Sequence, residues 1–153
     1  VGEFGHITVD PDGPLCDCGK RGCLEAVASD PAIIRNLSSQ NGMLTLDQIV
    51  QKAEQGDTAA QDALARSGHF LGMGLATIIN ILCPSLIILS GEGVIAGDFR
   101  LKPMIEAMRQ HTFDGLLHNV QLVVKPTDEQ IWARGAAGLV VGKVFESPLV
   151  EIS

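Results

Sequence analysis

Four side chains with metal-binding chemistry, His6, Cys16, Cys18 and Cys23, occur together in the opening stretch GEFGHITVDPDGPLCDCGKRGCLEA. Three thiols and an imidazole make the donor set of a Cys₃His zinc site, closed and structural in type, with no open position for water. One structural zinc per chain is therefore expected. Thiols bind as thiolates, and a bound metal keeps them deprotonated well below their free pKa of about 8.5. Three thiolates around a dication leave the centre with a net charge of about −1. Cys23 falls where a short helix should begin, and the helix dipole there favours a thiolate. The alternatives fit less well. Unliganded cysteine is usually buried as a small hydrophobe, and a glycine-rich polar loop is a poor place to bury three. Cys16 and Cys18 flank one residue and Cys83 lies far off in an apolar run, which argues against two disulfides.

Glu3 lies three residues before His6, and Glu25 two after Cys23. Alone, each would be a solvated surface carboxylate. A metal that clamps the two segments together also gathers Glu3, His6 and Glu25. A metal-bound imidazole keeps one ring nitrogen free to donate a hydrogen bond. Two carboxylates and one fixed N–H suit a polyhydroxylated ligand, because each sugar hydroxyl both donates and accepts.

The elements that must position these groups follow from local signals. Phe4 to Val9 fits a short strand, and residues 10–22, rich in proline and glycine, must form a loop. Gly19 and Gly22 allow the sharp turns that bring Cys18 and Cys23 to one point. A short helix from Cys23 should end near Ser29. Asp30-Pro31 fits an N-cap followed by proline at the first helical position. Thr45 with Gln48 forms a capping box for a helix through about Glu54, stopped by Gly56.

Asp57 should cap the longest helix, whose Leu64, Leu71, Leu75, Ile78 and Leu82 recur at helical spacing. Its Gly68, Gly72 and Gly74 predict a closely packed backbone, and Pro84 ends it. His69 is expected partly buried in this helix, His111 and His118 solvent-facing, and Cys83 a small core residue. Residues 85–90, SLIILS, predict a strand buried on both faces. Ser90-Gly91-Glu92-Gly93 then turns toward Asp98, a cap or loop anchor. A helix over 103–112, a strand over 120–124 and a helix over 131–145 complete an α/β pattern. In the last helix Gly135, Ala136, Ala137, Gly138 and Gly142 form a small-residue face for tight packing.

Composition bounds the function. The 153 residues fit one domain with one core. A net charge of −7, no tyrosine and a single tryptophan argue against a nucleic-acid surface, which needs clustered Lys and Arg. The longest apolar stretch, around Leu75 to Leu89, is broken by Asn80, Cys83-Pro84 and Ser85, so no membrane span is expected. With no leader ahead of the motif, a soluble cytoplasmic protein is the expectation, and reduced thiols there suit metal binding.

The GEFGH and CDCGKRGCLE segments, continued by LIILSGEGVIAGD and WARGAA, closely resemble the ROK family of repressors, open reading frames and sugar kinases. The resemblance covers essentially the whole chain. It implies His6, Cys16, Cys18 and Cys23 as zinc ligands, and Glu3, His6 and Glu25 as contacts to sugar hydroxyls. The fold it implies is the actin-like, ribonuclease-H-like ATPase fold. Residues 1–153 would form most of its C-terminal lobe, with a zinc-binding loop over 6–23 and an α/β core over about 57–147. The N-terminal lobe, with the family's catalytic aspartate, and any DNA-binding domain would lie outside. Dimers or tetramers through this lobe, a sugar or amino-sugar ligand, and no DNA contact by the lobe itself are further implications.

Kinases of the family carry a glycine run after the buried strand, where the backbone approaches adenosine. Glu92 interrupts that run here, and a carboxylate would repel phosphates. Gly91-Glu92-Gly93, Trp132-Ala133-Arg134-Gly135-Ala136-Ala137 and Phe145-Glu146-Ser147-Pro148 look more like the family's regulators. The expected function is the sugar-sensing lobe of a transcriptional regulator. The alternatives are the C-terminal half of an ATP-dependent hexose or N-acetylhexosamine kinase, inactive alone, and a zinc-stapled oligomerisation module without a ligand.

Overall fold

A computed structural model of the chain describes residues 2–42, 44–126 and 131–145. Its helices are α1 (Leu24–Ala28), α2 (Asp30–Asn41), α3 (Leu46–Glu54), α4 (Thr58–Leu82), α5 (Asp98–His111) and α6 (Ile131–Phe145). Strands β1 (Leu86–Gly91) and β2 (Gln121–Pro126) pair in parallel, Leu86 opposite Gln121 and Gly91 opposite Pro126. Parallel neighbours need a crossover, and α5 supplies it, flanked by 3₁₀ turns at Glu92–Ala96 and Leu116–Asn119. The chain is mixed α/β and rich in helix.

Helix starts are set by local caps. The Thr45 hydroxyl accepts from the Gln48 N–H at 3.3 Å, and Gln48 Oε1 accepts from the Thr45 N–H at 2.9 Å. Asp57 Oδ1 accepts from the Ala60 N–H at 3.1 Å and opens α4. Loss of such a cap costs about 1 kcal/mol, so Asp57→Ala should lower the urea midpoint by an amount equivalent to about 1 kcal/mol. A midpoint unchanged from wild type would show that packing alone fixes the start of α4.

One cap moves. Ser29, not Asp30, caps α2 by accepting from the Ala32 N–H at 3.2 Å, which leaves Asp30 as the first helical residue. The Asp30 carboxylate is drawn away to Arg100, with Oδ1 2.5 Å from Nη1. Arg100 Nη2 also donates to the Ala28 carbonyl at 2.6 Å, where Ser67 Oγ donates at 2.7 Å. The end of α1 is thus satisfied by side chains from α4 and α5.

α4 is the spine of the fold. Its Leu64 packs with Ile33, Ile49, Val50 and Ala53 of α2 and α3. Farther along, Leu75 and Ile79 pack with Met104 and Met108 of α5, joined by Ile87 and Leu89 of β1. The apolar interior is therefore divided between two main clusters, where one was expected. At Gly68 and Gly72, α5 approaches so closely that an added Cβ would overlap the carbonyl oxygens of Arg100 and Met104. At Gly74 it would meet side chains, Leu24 and Phe4, not backbone.

Other expectations are corrected. Residues 4–9 are not a continuous strand. Phe4–His6 is a 3₁₀ turn, and the segment after it makes one antiparallel bridge, Thr8 to Cys23. Its backbone hydrogen bonds to the returning chain, made with Gly22 and Leu24, flank that single bridge, so no ladder extends. β1 is not buried on both faces. Its residues alternate, and Leu86 and Ile88 are 47% and 58% exposed because only the Ile87 and Leu89 side packs on α4 and α5. α5 begins at Asp98, five residues ahead of expectation, and contains Pro103 in its interior. Asp98 lies in its first turn and pairs with Lys102 at 2.8 Å.

The stripe on α4 drifts, so that Ile79 is buried and Leu82 is exposed. His69 is exposed, edge-on to the rings of Phe70 and His111. Cys83 is exposed too, a left-handed cap (φ 43°) ending α4. His111 and His118 face solvent as expected. α6 has the expected bounds, yet nothing lies within 4 Å of a Cβ added at Gly135 or Gly138, and Leu139 to Val141 are exposed. The side chains of Trp132 and Gly142, and residues 146–148, lie outside the described residues. No described helix is long and apolar enough to cross a membrane.

Candidate metal centre

The four ligand candidates come from two segments tied by backbone hydrogen bonds. In the 3₁₀ turn the His6 N–H donates to the Glu3 carbonyl at 3.1 Å, which fixes the backbone that carries the imidazole. The chain then runs to Val9 and Asp10, whose N–H groups both donate to the Gly22 carbonyl, at 2.9 and 3.2 Å. Leu24 N–H donates to the Ile7 carbonyl at 2.9 Å, docking the start of α1 on the same segment. Between them the loop folds back. Cys16 N–H donates to the Lys20 carbonyl at 2.8 Å and Gly19 N–H to the Cys16 carbonyl at 2.9 Å. This tight turn requires left-handed backbone at Gly19 (φ 86°) and Gly22 (φ 65°), and a Cβ on Gly22 would overlap the Asp10 carbonyl.

The result brings His6, Cys16, Cys18 and Cys23 together, with one ligand atom from each within 4.8 Å of all the others. Cys16 Sγ is 3.6 Å from His6 Nδ1, and Cys18 Sγ is 3.5 Å from Cys23 Sγ. A tetrahedral zinc with Zn–S near 2.3 Å and Zn–N near 2.0–2.1 Å spaces its ligands about 3.8 Å (S to S) and about 3.6 Å (S to N). The donor set and its spacing fit a metal ion of that kind. Among the described residues this is the one such cluster, and Cys83 is not in it.

Without a metal the thiols would hold their protons unequally. Burial pushes the Cys23 thiol up to about 11, reinforced by hydrogen bonds with Cys18 and Cys16. The exposed Cys18 is held below the ordinary value, first by the backbone N–H of Lys20. A buried thiol that resists ionisation needs a cation to become a ligand, which is what a metal supplies.

Glu25, on the exposed face of α1, places Oε2 3.4 Å from His6 Nδ1. A metal-ligating Nδ1 carries no proton, so its nearness to Glu25 is then not an ion pair. The carboxylate remains open to a hydroxyl, and Nε2 is the nitrogen left to carry the N–H. Glu3 is exposed one turn before His6. Its carbonyl holds the His6 N–H, but among the described residues its carboxylate has no hydrogen bond or ion pair to His6 or Glu25. The structure therefore gathers His6 with Glu25 and leaves Glu3 adjacent.

One feature was not anticipated and a second only in part. Lys20, inside the CDCGKRGC run, donates to the His6 carbonyl at 3.0 Å. Its position between ligands was the available signal. A cavity of about 310 Å³ lies at the far end of α1, lined by Ser29, Asp30, Ser90, Glu92, Gly93 and Arg100 among others. It is separate from the metal cluster. The Ser90–Gly93 turn marks one wall of it in the sequence, but the opposite wall escapes local reading, because Asp30 and Arg100 meet across 70 positions.

Residues 1–143 match the model of the ROK family. The chain belongs to the ROK family. Over 140 residues it is 30% identical to the xylose repressor of Bacillus subtilis, covering 92% of this chain and 36% of that protein. Over 157 residues it is 29% identical to the glucokinase of Thermotoga maritima, covering 93% and 50%. The crystal structure of a ROK family transcriptional regulator, a homologue of the E. coli MLC protein, superposes with a TM-score of 0.79 at 29% identity, covering 96% of this chain and 42% of that one. The ROK chain described here thus spans about a third to a half of the length of these relatives.

Proposed function

We propose that this chain is the sugar-sensing, zinc-stabilised C-terminal domain of a ROK-type transcriptional regulator. It would form most of the C-terminal lobe of an actin-like ATPase fold, as one domain over 1–153. His6, Cys16, Cys18 and Cys23 hold one structural zinc, and Glu3, His6 and Glu25 grip a sugar or amino sugar. The observation that carries this proposal is the placement of His6, with Nδ1 3.6 Å from the Cys16 sulfur and 3.4 Å from Glu25. When bound, zinc supplies a fixed anchor for the imidazole. The chain's own residues do the recognition, with Nε2–H donating and the carboxylates accepting from hydroxyls.

The preference for a regulator rests on the cavity beyond α1. Its lining carries the carboxylates of Asp30 and Glu92, and the charge of Arg100 is already taken by Asp30 and the Ala28 carbonyl. A triphosphate there would meet two carboxylates and, among the described residues of the lining, no free cation. A sugar-induced change in lobe arrangement would act through unequal affinity for the two arrangements. DNA contact would belong to an N-terminal domain outside these residues. A cytoplasmic location and homo-oligomers through this lobe complete the proposal. The likeness to a glucokinase supports a second assignment, the C-terminal half of a ROK sugar kinase, in which an upstream aspartate would deprotonate the sugar hydroxyl. Sugar-dependent ATP turnover by the parent protein would establish the kinase. Sugar binding without turnover is expected.

For the pocket itself, Glu25→Gln is the direct probe. A hydrogen bond to a charged group contributes about 1.5–3 kcal/mol, so sugar affinity should fall roughly 10- to 150-fold. Zinc content should not change, since Glu25 is not a ligand. Calorimetry with a panel of hexoses and amino sugars checks this. Heat from none of them, with zinc bound, would instead favour an oligomerisation module without a ligand.

A further inference from the structure

Lys20 reaches two of the four ligand residues. Its ammonium donates to the His6 carbonyl at 3.0 Å, and its own carbonyl accepts from the Cys16 N–H at 2.8 Å. The neighbouring cations are used differently. Arg21 donates to the Gly13 carbonyl at 3.4 Å, and Arg66 pairs with Asp10 at 3.2 Å. Both brace the loop, and among the described residues neither side chain has a hydrogen bond or ion pair to a ligand residue.

The His6 carbonyl has a second donor without metal, the Cys23 thiol at 3.8 Å. A thiolate on zinc has no proton to give. Metal binding therefore removes that donor and leaves the Lys20 ammonium to hold the His6 backbone. It also creates a centre of net charge about −1, which an adjacent ammonium offsets.

We infer that Lys20 is a positioning residue of the metal centre, fixing the His6 backbone against the Cys16–Cys18 turn and supplying the counter-charge of the three-thiolate site. This rests on the zinc assignment above. Lys20 is exposed, and an exposed pair alone contributes about 0–1 kcal/mol. Outer hydrogen-bond partners of metal ligands have larger effects, about 10- to 100-fold in metal affinity.

The test is competition for zinc against a chromophoric chelator, using wild type, Lys20→Met and Lys20→Arg. Lys20→Met should bind zinc about tenfold more weakly, and Lys20→Arg should recover most of the loss. Raising the salt to about 1 M, where the Debye length falls to about 3 Å, should narrow the gap between wild type and Lys20→Met. A merely structural lysine would not give that salt dependence. Cobalt substitution should show the same thiolate charge-transfer bands in wild type and Lys20→Met, proving the ligands intact. Equal zinc affinity in wild type and Lys20→Met would overturn the role of Lys20 alone. A wild-type chain that binds no zinc would overturn the zinc assignment and the role of Lys20 with it.

Discussion

Cys18→Ser is expected to strip the chain of its metal and to abolish cooperative thermal unfolding near the wild-type temperature. Structural zinc contributes on the order of 10 kcal/mol to small domains, against a total stability of about 5–15 kcal/mol. Loss of one thiolate from the four-ligand set therefore removes a quantity comparable to the whole. Cys18 makes this test clean because it is exposed. Replacing an exposed thiol by a hydroxyl opens no cavity, and such surface changes usually stay within about 0.5 kcal/mol. In chelator-stripped protein, wild type and Cys18→Ser should then behave alike. Zinc content and far-UV melting, read together, check both halves. Intact metal and melting in Cys18→Ser would remove Cys18 from the ligand set.

Gly72→Ala should destabilise the helical spine through a single methyl. Alanine is intrinsically better in a helix than glycine by about 1 kcal/mol. At Gly72 the new Cβ would overlap the Met104 carbonyl and stand 2.8 Å from the Ala107 Cβ and 2.9 Å from the Met108 nitrogen. Met104 is fully buried, so α5 cannot yield without disturbing the cluster with Leu75 and Ile79. Overpacking costs about 1–3 kcal/mol and sometimes more, and it wins over propensity. The contrast is Gly135→Ala, where nothing lies within 4 Å and only the propensity gain remains. Urea midpoints should shift in opposite directions for the two. A stabilised Gly72→Ala would contradict the close α4–α5 crossing.

Signals confined to a few residues were legible in the sequence. The Thr45–Gln48 box, the Asp57 cap and the loop of 10–22 all follow from neighbours within one turn. The metal set was legible for the same reason, since its spacing lies within one short stretch and the donor chemistry is restrictive. What escaped depends on partners far away. Arginine is mostly exposed in proteins, yet Arg100 is buried because Asp30 and the Ala28 carbonyl receive it. The same pull turned Asp30 from cap to ion-pair partner and passed the cap to Ser29. Pro103 suggested a helix start, since proline suits the first turn and removes a backbone donor. Packing of α5 against Gly68 and Gly72 instead carries the helix through it. Glu3 shows the limit within the site. Its nearness to His6 was legible, but the direction of its carboxylate was not.

The central claim is that a metal builds this corner of the fold and thereby aims His6 toward Glu25. The most direct measurement is the metal content of the purified wild-type chain after dialysis, by elemental analysis, paired with its melting before and after chelation. The expected result is about one zinc per chain, with melting that collapses when zinc is removed. Metal-free protein that melts unchanged would contradict the account.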